Sequence, residues 1–228
     1  MKTRFAAILS AMVAAITPSL VKAADMHGGY VAPAIPATNL PFFLHIGPAG
    51  LLLSESAKMN VGGAPLPGAS VRIDSQITAA IEFGYFVTPE IAVSFTGGFP
   101  PTVDVIGKGA AAGLGRVGKA TYGPTVLSAH YHFKKFGAFQ PYIGAGPTFM
   151  IVFDTKDAAM NNLKLNHAVG FAGQIGFNYM FDRKWGVFVD VKKAYLRTTA
   201  TGTLGGAPVK ANIKLDPLVL HTGLTYRF

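Results

Sequence analysis

Four charged side chains sit in apolar company. Glu82 lies between Ile81 and Phe83, Asp190 between Val189 and Val191, Lys192 beside Val191, and Arg227 between Tyr226 and Phe228. Charges so placed must pair, meet trapped water, or act as acid and base. His130 and His132 are two residues apart, so on a strand both imidazoles share one face. With His221 they could hold a metal, but only if three ligands converged, and no matching carboxylate cluster accompanies them. The chain has no Cys, which removes thiol chemistry and Cys-based metal sites. It has no phosphate-binding glycine loop, no H-E-x-x-H pair and no G-x-S-x-G elbow. No catalytic, cofactor or metal residue is therefore assigned, and an enzyme is not expected. Glu82, His130, Asp190, Lys192 and Arg227 are read instead as an interior polar network.

A second set is apolar. Leu51, Leu53, Met59, Phe95, Phe99, Phe149 and Met150 fall toward one end of the elements that carry them. They are the candidates for a hydrophobic mouth, the alternative being plain lipid contact. Pro100-Pro101 follows Phe99 and would interrupt strand pairing beside that mouth.

The elements that must position both sets alternate with a period of two. Ile77, Ala79, Ile81, Phe83 and Tyr85 oppose Gln76, Thr78, Ala80, Glu82 and Gly84. Similar patterns predict eight strands, over 41–53, 76–86, 90–99, 117–133, 139–152, 166–180, 185–195 and 213–228. Soluble strands usually run to about 5 or 6 residues, whereas a tilted membrane strand needs roughly 9 to 11. Alternation alone leaves a soluble ligand-binding barrel open. Length and aromatic strand ends favour a membrane barrel. Short connections at 87–89, 134–138 and 181–184 alternate with long ones at 54–75, 100–116, 153–165 and 196–212. That places all turns on one side and all long loops on the other, the layout of an outer-membrane barrel. The fold class expected is all-β, an eight-stranded antiparallel transmembrane barrel.

The first residues read as an export signal. Lys2 and Arg4 precede an apolar run from Phe5 to Leu20, and Val21-Lys22-Ala23 resembles a cleavage site. Residues 1–23 would be removed and 24–228 would form the barrel. The formal charge of +9 falls to about +6 without that segment. The remaining Lys and Arg are dispersed, which argues against nucleic acid as a partner.

Several segments together resemble the OmpW family of small outer-membrane proteins. They are Gly123-Pro124-Thr125 leading to Tyr131-His132-Phe133, Gln140 to Gly146, Asp182 to Gly186, Asp190 to Lys193, Leu215 to Val219, and Tyr226-Arg227-Phe228. The resemblance implies passage of small hydrophobic molecules through an apolar lumen that opens sideways to the membrane. It also implies contact with outer-membrane lipids, and delivery by periplasmic chaperones and the barrel-assembly machinery, with Tyr226 and Phe228 as the assembly signal. The first strand departs from the family pattern, His45 best matching a basic position there. Val103-Asp104-Val105 replaces a segment where relatives often carry His. The alternative function is a closed structural barrel whose loops bind other surfaces.

Overall fold

The computed structural model describes residues 40–228. The export segment and its cleavage site lie outside them. Fourteen strands follow in order among the described residues: β1 (Phe42–Leu52), β2 (Glu55–Val61), β3 (Ala64–Leu66), β4 (Ala69–Ile73), β5 (Gln76–Phe86), β6 (Ile91–Gly98), β7 (Thr102–Gly109), β8 (Arg116–His132), β9 (Phe139–Asp157), β10 (Asn161–Leu165), β11 (Ala168–Met180), β12 (Trp185–Leu204), β13 (Ala207–Leu215) and β14 (Leu218–Arg227). Eight of them, β1, β5, β6, β8, β9, β11, β12 and β14, pair antiparallel in a ring. The ring closes where β14 meets β1, with Leu44 opposite Tyr226 and Ile46 opposite Leu224. Closure leaves no barrel edge to strand unpaired backbone groups in hydrocarbon.

The orientation that alternation alone leaves open is fixed by exposure. Ile81, Phe83, Val93, Leu127, Ile143, Phe171, Ile175 and Leu224 all point outward and are exposed, while Glu82, Ser94, His130, Asp190 and Thr225 are buried inside. An apolar outer belt around a polar interior is stable only in lipid. At the short-turn end aromatic rings ring the wall: Trp185 lies 4.5 Å from Tyr226, Phe42 5.7 Å from Phe228, and Phe139 5.0 Å from Phe177. Such a girdle marks the membrane interface.

The four long connections are not loops. Segments expected as irregular carry β2, β3, β4, β7, β10 and β13, and β9 and β12 run on into them as far as Asp157 and Leu204. Their pattern explains why. In β13, Val209, Ala211, Ile213 and Leu215 are buried while Lys210, Asn212 and Lys214 are exposed. Alternation persists, but its sense is inverted: apolar inward and polar outward, because water replaces lipid outside. The main hydrophobic core therefore lies in this extension, where Met59, Val71, Val103, Val117, Leu163, Leu196 and Ile213 pack together.

Candidate functional site

The barrel interior is built in layers. At the turn end, the Arg227 guanidinium donates to the Gln140 side-chain oxygen, and Phe43 packs near His132. Gly84 makes room for Phe43, since a methyl group there would collide with its ring.

Above this lies a dense ionic cluster. Glu82 sits opposite His45 in the β1–β5 register. Its carboxylate is 3.3 Å from His45 Nδ1 and 3.3 Å from Lys192 Nζ, and accepts from the Ser94 hydroxyl at 2.6 Å. Lys192 Nζ also donates to Asp190 at 2.7 Å, and the Tyr142 hydroxyl donates to the other Asp190 oxygen at 2.8 Å. Gln174, Ser94 and Ser128 each approach His130 Nε2 within 2.9 Å. His45 stacks on Phe188 at 4.2 Å, and His130 on Tyr142 at 5.2 Å. Gly176 spares the space for Tyr142, whose hydroxyl would lie 2.6 Å from an added Cβ. Glu82, His45, Asp190, Tyr142 and Phe188 are wholly or almost wholly buried. Opposite charges within hydrogen-bonding reach fill this half of the lumen with packed side chains, while His45 Nε2, His130 Nδ1 and both His132 ring nitrogens have no partner among the described residues.

Next comes a layer of small side chains. Ala49, Leu51 and Ala80 form one cluster, and Val126, Ala172 and Ala194 another. Above it opens an apolar cavity lined by residues of β2, β4, β7, β8, β9, β10, β12 and β13 and by Met160, just before β10. Met59, Val71, Val103, Val117, Tyr122, Met150, Met160, Leu163 and Ile213 are in its wall. Its free space is only about 40 Å³.

Beside the proline pair the wall is weakly paired, as it is between β9 and β10, which share no ladder. Pairing of β6 with β8 stops at Thr96 opposite Val126, and β7 takes up β8 only at Thr102 opposite Thr121. Between them one backbone hydrogen bond crosses, from the Tyr122 N–H to the Pro101 carbonyl at 3.3 Å. Pro124 has no N–H to give. Outside, Phe99 and Phe153 are 71% and 59% exposed, and inside Tyr122 is 6% exposed. A Cβ on Gly123 would lie 3.0 Å from Phe153 and 3.8 Å from Pro100. The wall here is thin, glycine-lined and weakly paired.

Of the interior polar set, Glu82, His130, Asp190 and Lys192 are brought together, while Arg227 lies at the turn end with Gln140. Of the mouth set, Met59 and Met150 line the cavity, Leu53 packs against its core, and Leu51 lies in the small layer below. Phe95, Phe99 and Phe149 do not: they face outward. Phe95 stands opposite Phe83 and Leu127, both outward, so its strand phase turns it to lipid. His130 and His132 are neighbours at 5.7 Å, whereas His221 packs on Phe188 and bonds the Ala80 carbonyl. Among the described residues no three such side chains are placed to hold a metal ion. Tyr142, Gln174, Ser94, Ser128 and Phe188 are site residues that carried no assigned role in the sequence. Their only signal is position, on the inward phase of the barrel strands, and only Phe188 shares its strand with the charges Asp190 and Lys192.

A family model described as the OmpW family matches residues 41–228. The chain belongs to the OmpW family. It is 36% identical over 174 residues to outer membrane protein AlkL of Ectopseudomonas oleovorans, covering 76% of this chain and 76% of that protein. It is 33% identical over 192 residues to dibenzothiophene metabolism operon protein PahQ of Pseudomonas aeruginosa, covering 84% and 90%. Its fold matches the crystal structure of OprG from Pseudomonas aeruginosa with a TM-score of 0.76 at 25% identity, over 82% of this chain and 95% of that one. This OmpW-family barrel thus resides in the outer membrane in contact with its lipids, and its membership points to small-molecule transport rather than catalysis.

Proposed function

We propose that this OmpW-family barrel passes small hydrophobic molecules into the outer membrane. They enter the apolar cavity at the long-loop end and leave sideways through the weakly paired wall between Gly97–Pro101 and Tyr122–Val126. The observation that carries this reading is the division of the lumen: apolar above, and filled by the Glu82–Lys192–Asp190 cluster below. An apolar solute in the cavity meets desolvated charge on the way down, and a weakly paired wall at Pro100-Pro101 beside it. The name of the PahQ relative refers to dibenzothiophene, a flat apolar heterocycle, which fits this solute class. Removal of residues 1–23 and recognition of Tyr226 and Phe228 by the assembly machinery belong to the same reading.

One observation favours a closed barrel that acts through its surface: about 40 Å³ is far below the 300 Å³ or more of typical ligand pockets. Met59, Met150 and Met160 line that space, however, and flexible thioethers repack readily. The test is uptake of n-octane by vesicles with a lipopolysaccharide outer leaflet, which slows its spontaneous entry. The doubly substituted Met59→Gln, Met150→Gln barrel, at matched folded protein, should take up octane roughly three- to tenfold more slowly, because buried amides disfavour an apolar solute. Equal rates would leave the closed barrel as the better reading.

A further inference from the structure

The cavity wall contains one hydroxyl that has nothing to bond. Tyr122 is 6% exposed, its ring lines the cavity, and its Oη has no hydrogen-bond partner among the described residues. The other hydroxyl in that wall, on Thr198, has already placed its proton, donating to the Asn166 carbonyl at 2.6 Å. The remaining lining is aliphatic or thioether. Buried polar groups are nearly always satisfied, and each exception calls for a reason. A trapped water is a poor one, since a buried water needs two to four polar partners and this wall offers a single free one.

Position supplies a better reason. Tyr122 stands at the inner side of the weakly paired wall, and its own N–H makes the one backbone bond that crosses there. Any molecule moving from the cavity to that wall passes the hydroxyl. Resting on the transport reading above, we propose that the site selects apolar molecules carrying one oxygen that bonds Tyr122 Oη, such as a ketone or an alcohol, over plain hydrocarbons of the same length. The hydroxyl donates to a carbonyl, and can donate to or accept from an alcohol. A hydrocarbon leaves it unbonded, as it is in the empty cavity, and because the oxygen's cost of leaving water is the same in both proteins, the change on Tyr122→Phe isolates this one contact. The polar end is then held at the exit while the alkyl chain occupies the space between Met59, Met150 and Met160.

The test compares initial uptake of 2-octanone and n-octane in lipopolysaccharide-faced vesicles, each rate corrected for empty vesicles. The wild-type barrel should prefer the ketone, and Tyr122→Phe, which keeps the ring, should lower the ketone-to-octane ratio about three- to tenfold, the range of one net hydrogen bond. Thermal unfolding of the solute-free barrel gives an independent readout. Tyr122→Phe should melt at the same temperature or higher, because it removes an unpaired buried group. A hydroxyl with a purely structural role would instead lower it. An unchanged ratio with octane uptake intact, or a clear loss of thermal stability, overturns this inference alone. No protein-dependent uptake of either solute overturns the transport reading and this inference with it.

Discussion

Lys192 is one ammonium facing two carboxylates, Glu82 and Asp190, and all three side chains are almost fully buried. Truncating one partner of such a cluster costs more than the bonds lost, because the opposite charges stay buried without compensation. Lys192→Met should therefore destabilise the barrel by about 3 to 5 kcal/mol, measured by reversible denaturant unfolding in lipid vesicles. A loss within ~1 kcal/mol would mean that water already reaches the cluster. These charges were legible in the sequence, because each falls on the phase opposite the apolar face of its strand. Tyr142 and Phe188 were not. Their strand phase put them on the face of Asp190 or of the small glycines, but an aromatic there carries no polar mark, and only the fold shows them wholly buried beside His130 and His45. Phe95, Phe99 and Phe149 show the converse, since closeness in sequence to the loop end says nothing of which wall face a ring takes.

Turns and strands carry a different kind of information. The tight turn 181–184 is organised by Asp182, whose carboxylate accepts from the Trp185 N–H at 2.8 Å and the Lys184 N–H at 2.6 Å. The Trp185 bond first, then the Lys184 bond, lowers its pKa below the ordinary Asp value of 3.8. A lowered folded-state pKa contributes stability above the unfolded value, which is lost as pH falls through the folded one. The stability gap between wild type and Asp182→Ala should therefore be present at pH 7 and shrink once the pH drops below about 4. Unfolding curves at the two pH values check this, and a gap that widens in acid would contradict it. The turn and the eight staves were readable because lipid enforces long strands of one alternation. The extension of the barrel was not, because its alternation reverses sense above the membrane: Lys210, Asn212 and Lys214 point out where the staves carry Ile and Phe. Polar residues on the outer face of a strand look like loop residues when an apolar outer face is expected.

At the scale of the whole molecule the fold is a closed wall around two unlike halves. The turn-side half is filled by the Glu82–Lys192–Asp190 cluster and its aromatic neighbours. The loop-side half is an apolar chamber whose side wall is weakly paired at Pro100-Pro101. On the proposed reading such a barrel moves hydrophobic solutes and refuses polar ones, without a continuous aqueous path. The direct measurement is paired uptake of n-octane and a polar solute of similar size by lipopolysaccharide-faced vesicles holding the purified barrel. Octane uptake should stand well above that of empty vesicles, and polar-solute uptake should equal theirs. Passage of the polar solute at a rate comparable to octane would contradict it, because the ionic cluster could not then be a plug.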